Sequence, residues 1–266
     1  MLIPFCKMQA QGNDFVILRF THRTDSSLPL PKLACDICDR RKGVGADGLV
    51  ILLADPKADA RMLIHNSDGS RASMCGSALR CCAELVSGLK HKKQLKLATD
   101  SGMRTASITE TEGEKSVEVN LGRPSLIQSD LEVEGAKGSL VDVGNLHFVS
   151  FWEVLDGQEF RLGPLLEKHP AFPGPVNSQF VRLISRGELE LKIWETGCGV
   201  TLACGTGAVA SVFAGIEKGM LDARVKVAMP GGEVQISRKD NGEYILAGSV
   251  KHVFSGVYLW KTSANT

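Results

Sequence analysis

The chain has no excess of either charge: 31 lysines and arginines face 30 aspartates and glutamates, for a net charge of +1. That balance removes the electrostatic basis for a general nucleic-acid or membrane-surface binder. No apolar run reaches the roughly 18 residues of a membrane-spanning segment. Met1 to Lys7 runs directly into mixed sequence, without the layout of a secretory signal. Eight cysteines are present, at 6, 35, 38, 75, 81, 82, 198 and 204, yet a disulfide framework is not expected in a long chain without an export signal. Cys35-Asp-Ile-Cys38 lacks the second pair or histidine cluster that would complete a zinc site, so both are read as structural cysteines on a helix and no metal is expected. These absences leave a soluble, cytoplasmic, globular protein with neither nucleic acid nor membrane as partner.

Within 266 residues there is room for one large domain or two of about 130. Ser116 to Asn120, Glu188 to Trp194 and Arg224 to Ala228 place apolar side chains at every second position, the period of half-buried strands. Phe15–Phe20, Gly48–Leu53, Arg61–Ile64, Met103–Ile108, His147–Val154, Gln179–Ile184, Glu233–Ile236, Tyr244–Val250 and Val253–Trp260 are further candidates. Turn sequences at Asp240-Asn-Gly242, Met229-Pro-Gly-Gly232 and Thr111-Glu-Gly113 suit antiparallel hairpins. Few helices are expected, and besides the one that carries Cys35 and Cys38 two matter. One covers Ala78–Val86 and stops at Gly88; the other covers Thr206–Glu217 and closes at Gly219. The second is apolar nearly all round, so a sheet must wrap it.

The halves repeat one another. Cys75-Gly-Ser-Ala opens the first helix and Cys204-Gly-Thr-Gly the second, with residue 204 lying 129 positions after residue 75. Gln11-Gly-Asn-Asp-Phe-Val16 is echoed by Val143-Gly-Asn-Leu-His-Phe-Val149. The expected fold is α/β (α+β): two similar domains, each a strongly curved, mostly antiparallel sheet around a central helix, with the active site in the cleft between them. The boundaries are 1–122 and 123–251, and the terminal strand, about 252–266, could return to the first domain.

A helix N-terminus offers unpaired N–H groups and a positive dipole end, and so attracts anions. The same field is expected to pull a cysteine there below its usual pKa. Two such thiols facing across a cleft could invert a carbon: one thiolate removes a proton and the opposite thiol returns one. An amino-acid α-carbon suits this, because its carbanion spreads charge into a carboxylate that the helix mouths can hold. Blander readings stand beside this one. Asparagines after glycine or valine often cap turns, His147 could be a buried structural histidine, and Glu195 a solvated strand end. Gly43-Val-Gly45 lacks the features of a phosphate loop, and Lys90-His-Lys-Lys93 reads as a solvated loop.

Lys7-Met-Gln-Ala-Gln-Gly-Asn-Asp-Phe15, Gly43-Val-Gly-Ala-Asp-Gly48, Asn66-Ser-Asp-Gly-Ser70, Cys75-Gly76, Gly144-Asn-Leu-His147, Phe172-Pro-Gly-Pro-Val-Asn177 and Glu195 through Gly207 together resemble the diaminopimelate epimerase family, nearly end to end. The resemblance implies a cofactor-independent (pyridoxal-phosphate-free) isomerase that epimerises LL-2,6-diaminopimelate to the meso form, in lysine and peptidoglycan biosynthesis. It implies Cys75 and Cys204 as the acid/base pair, with His147 and Glu195 in support. Substrate contacts fall to Asn13, Asn66, Gly76, Ser77, Asn145, Asn177, Glu195, Thr196, Gly205 and Thr206. A homodimer is among the states that the family adopts. The chain departs from the family at Ser77-Ala78, where Asn-Gly is usual, at Thr196, where Arg is usual, and at Val200, where Glu is usual. Thr196 replaces a forked cation by a hydroxyl, so recognition of the distal group is expected to be loosened or rebuilt. Alternatives are a two-thiol racemase of another amino acid such as glutamate, a nucleophilic cysteine enzyme using His147, and a non-catalytic amino-acid-binding descendant.

Overall fold

The computed structural model describes residues 1–20, 28–111 and 114–261. The turn expected at Thr111-Glu-Gly113 falls largely outside the described residues, as do residues 262–266 of the expected terminal strand.

In the first half, β1 (Leu2–Ala10) and β2 (Asn13–Phe20) form an antiparallel hairpin. Its turn holds Gln11 and Gly12 at φ of 51° and 81°. α1 (Leu30–Cys38) crosses over to β3 (Gly48–Leu53), which runs parallel to β2. β4 (Ala60–Asn66) pairs antiparallel with β3 and with the short β5 (Arg71–Ala72). α2 (Gly76–Lys90) then leads to β6 (Gln94–Thr99), parallel to β4, and to the antiparallel β7 (Gly102–Thr111) and β8 (Glu114–Gly122).

The second half repeats this order. β10 (Ala136–Asp142) and β11 (Leu146–Phe151) are antiparallel, and α3 (Gly163–Glu167) precedes β12 (Asn177–Ser185), which is parallel to β11. β13 (Glu188–Glu195) and the short β14 (Gly199–Val200) follow. α4 (Gly205–Glu217) leads to β15 (Arg224–Met229), parallel to β13, then β16 (Gly232–Arg238) and β17 (Tyr244–Gly248).

Two further strands cross between the halves. β9 (Ser125–Val133) leaves the first half and pairs with β10; β18 (Lys251–Leu259) leaves the second and pairs with β1. Trp260 is anchored beyond it, its indole N–H donating to Asp36 Oδ2 of α1 at 2.8 Å. The two curved sheets are also joined edge to edge where β17 pairs with β8, giving one continuous hydrogen-bonded network.

Each central helix is enclosed as its sequence demands. α2 touches β1, β2, β4, β6, β7 and β8, and α4 touches β10, β11, β12, β16 and β17. All of α4 from Gly205 to Val212 is buried, which fits a helix with no polar stripe. α1 and α3 cover the outer faces with separate cores, Leu33 and Ile37 against Val16, Leu18 and Ile51, and Leu166 with Phe148 and Phe180. Helix α2 runs past Gly88. It ends where His91 takes the left-handed conformation (φ 52°) and its N–H bonds Ser87 O. The expected strand 147–154 ends at Phe151, where the chain turns towards α3.

Candidate active site

The cysteines that open α2 and α4 occupy equivalent N-cap positions. Both have extended backbone (φ −148° and −136°), and each sulfur accepts an N–H from its own helix: Ala78 N to Cys75 Sγ at 3.5 Å, Gly207 N to Cys204 Sγ at 3.4 Å. The helices meet mouth to mouth. A β-carbon placed on Gly205 would lie 3.2 Å from Gly76 Cα and 2.8 Å from Leu246 Cδ2, so both glycines are required for this approach. Cys75 and Cys204 line one cavity of about 300 Å³.

Burial governs both thiols. It pushes Cys75 up to about 12, against hydrogen bonds from the Ala78 and Ser77 backbone, and the Glu195 charge adds to the rise. Cys204 is raised well above its usual value by burial and by Glu195, against the Thr206 hydroxyl and Gly207 N–H. The lowered pKa expected from the helix dipole is therefore corrected: desolvation of the thiolate outweighs one turn of dipole, at the half-buried Cys75 as at the buried Cys204.

Glu195 closes β13 as Asn66 closes β4, and the two lie at the same 129-residue offset as the cysteines. Thr201 Oγ1 donates to Glu195 Oε1 at 2.6 Å. Burial raises the carboxyl, against hydrogen bonds from Thr201 and from the Cys204 thiol. It is a half-buried, hydrogen-bonded acid, not a solvated strand end. His147 is fully buried and absent from the cavity wall, one layer behind Asn145. Its Nε2 is 3.0 Å from Asn145 Oδ1 and its Nδ1 3.2 Å from Gln179 Nε2. Burial pushes it down to about 3, so it is neutral, and a proton on Nε2 satisfies both contacts. Asn145 Oδ1 is thereby fixed as an acceptor, which leaves its amide N–H groups for the cavity.

The other expected residues divide. Asn13, Asn66, Asn145, Asn177, Glu195, Thr196, Gly205 and Thr206 line the cavity with the two cysteines; Gly76 and Ser77 do not. Ser77 is wholly buried and its hydroxyl finds no partner among the described residues. Several asparagines also brace the walls. Asn13 Nδ2 donates to Ala203 O at 3.2 Å, across the halves. Asn177 joins Leu146 O (3.0 Å) and Thr196 N (3.1 Å). Thr196 Oγ1 donates to Val176 O at 3.0 Å, so its hydroxyl proton is held by the wall. Asp47, Arg71, Cys198 and Thr201 also line the cavity but were not expected there. Asp47 and Thr201 lie inside quoted motifs, and applying the 129-residue offset to Val200 would have pointed to Arg71. Among the described residues no group of three or more His, Cys, Asp or Glu side chains could hold a metal ion, and no helix is long and apolar enough to cross a membrane.

Two thiols at paired helix mouths suit the class that the relatives below define, an isomerase of the epimerase and racemase kind. A hydroxyproline epimerase from Agrobacterium vitis shares the fold, with a TM-score of 0.74 at 14% identity over 97% of this chain and 92% of that one. The diaminopimelate epimerase family model matches residues 5–127 and 139–253. Diaminopimelate epimerases from Desulforudis audaxviator and Pelotomaculum thermopropionicum are 41% and 37% identical, each covering 97% of this chain and 99% of the relative. The chain belongs to the diaminopimelate epimerase family.

Proposed function

We propose that the protein converts LL-2,6-diaminopimelate to meso-diaminopimelate without a cofactor, as a step of lysine and peptidoglycan biosynthesis. The observation that carries this is the pair of N-cap thiols, Cys75 and Cys204, on one cavity between abutting helix mouths. One cysteine, as thiolate, removes the α-proton, and the other, as thiol, protonates the opposite face. The electron pair released from the C–H bond passes into the carboxylate, which the first-turn N–H groups at Gly205 and Thr206 hold, with Gly76 and Ser77 backing the opposite mouth. Burial that keeps both thiols protonated also makes either thiolate a stronger base once formed. Glu195 accepts the Cys204 proton, and the incoming ammonium offsets the anion. Neutral His147 acts as a positioning residue that turns the Asn145 amide towards the substrate; Asn13, Asn66 and Asn177 shape the walls.

The units responsible run from 1 to 122 and from 123 to 251, with β18 returned to the first. Thr196 favours a second reading, a broader range that includes glutamate, because no cation stands at that position. A homodimer is supported by the apolar stripe of Leu2, Val253, Val257 and Leu259, each more than half exposed on paired strands. Eight cysteines, none in a disulfide, fit a reducing cytoplasm.

The test is incubation with LL-diaminopimelate in reducing buffer without pyridoxal phosphate, with chiral chromatography of the product. Meso-diaminopimelate should form, and Cys75→Ala and Cys204→Ala should each lose at least about 10³-fold in kcat. Full activity in either variant overturns the paired roles.

A further inference from the structure

Among the described residues the cavity wall carries two acids, Asp47 and Glu195, and a single basic side chain, Arg71. A substrate with two ammonium groups and two carboxylates needs more than this at first sight. The acids and amides answer the ammonium groups, and the helix mouths hold the reacting carboxylate. The distal carboxylate then has one cation left to meet.

Arg71 is built for that contact. Its Nε donates to Asp100 Oδ2 at 2.7 Å, and no acceptor among the described residues takes its terminal nitrogens. The fork is therefore tethered on one edge and open on the other, the edge that grips a carboxylate through two parallel bonds. The tether does not cancel its charge. Asp100 Oδ1 also binds Arg61 Nη2 at 3.0 Å, so two guanidiniums share one carboxylate and the cluster keeps a net positive charge. Strand β5 fixes the approach, since Arg71 pairs with His65 and lies four residues before Cys75. Its counterpart before Cys204 is Val200, which is neutral, so the positive end of the cavity lies on one side only. Thr196 adds no cation.

The geometry points to Arg71 as the specificity-determining residue that holds the distal carboxylate of a dicarboxylic amino acid, with Asp100 as its positioning residue. This assignment rests on the epimerase reading above.

Three enzymes are compared in the diaminopimelate assay: wild type, Arg71→Gln and Arg71→Lys. L-Lysine, which has the same carbon chain without the distal carboxylate, serves as a competitive inhibitor. Arg71→Gln should raise KM for diaminopimelate at least tenfold while kcat falls less than threefold. Arg71→Lys should lie between, and the inhibition constant of lysine should change less than twofold in both. Asp100→Asn should raise KM by a smaller factor than Arg71→Gln. An unchanged KM in Arg71→Gln overturns the assignment. A lysine constant that rises in step with KM also overturns it, since the damage is then general. A wild type without turnover instead overturns the epimerase reading, and the assignment falls with it.

Discussion

At the scale of single residues the site is a contest between burial and local polarity. Glu195 raises both cysteines through its charge. Its replacement by Gln should therefore ease ionisation of Cys75, so that iodoacetamide labels this thiol faster at neutral pH, as mass mapping would show. Turnover should nonetheless fall by about 10²-fold or more, because the acceptor of the Cys204 proton is gone. A parallel fall in labelling and turnover would count against these roles. The raised thiols also set the pH response. Below the thiol pKa the thiolate fraction grows about tenfold per pH unit, so kcat/KM should climb from pH 6 to 8. His147 sets a pH response of stability. Its folded pKa, about 3, lies below the ordinary 6.5, so the unfolded chain binds the extra proton. Stability should drop as pH falls below about 6.5, and His147→Gln should flatten that slope in thermal melts at pH 7, 6 and 5. The sequence exposed the cysteines through their repeated Cys-Gly context. It could not expose the sign of their pKa shifts, because desolvation depends on how deeply the wrapped sheets bury each sulfur.

At the scale of elements the two helix mouths decide whether the halves can meet. Gly205→Ala would bring a methyl group to 2.8 Å from Leu246 Cδ2 and 3.2 Å from Gly76 Cα. The overpacking should cost about 1–3 kcal/mol, read as a lowered Tm, and kcat should fall more steeply than stability because the thiols separate. Gly207→Ala should behave similarly, since its methyl would collide with the Gln179 amide and disturb the side chain that steadies His147. Most elements were legible. The nearly all-apolar stretch 206–217 announced an enclosed helix, and the alternating runs announced β8, β13 and β15. Less legible were β1, β6, β9 and β10, none of them expected; in β9 six successive residues, Ser125–Asp130, are exposed, so burial imprints no alternation on them. Gly88 misled as a helix stop because it has open space about it and no need of a left-handed turn; His91 makes that turn instead.

At the scale of the whole molecule, chain order matters. β9 and β18 each leave one half to pair with the other, so the halves are tied by strands as well as by the β8–β17 edge. The repeat of 129 residues made two related halves visible in the sequence. The edge-to-edge join had no sequence signal, since strand partners distant in the chain leave no local pattern. The exposed apolar stripe on β1 and β18 belongs to this scale too. Val257→Glu combined with Leu259→Glu should convert a dimer to a monomer in sedimentation velocity, and a wild-type monomer would dismiss the dimer outright. The account turns on two proton carriers acting on opposite faces of one carbon, and deuterium measures this directly. At low conversion of LL-diaminopimelate in deuterated buffer, the meso product should carry deuterium at the inverted α-carbon and the recovered substrate none. Equal label in product and recovered substrate would mean one carrier serving both faces, and would contradict the account.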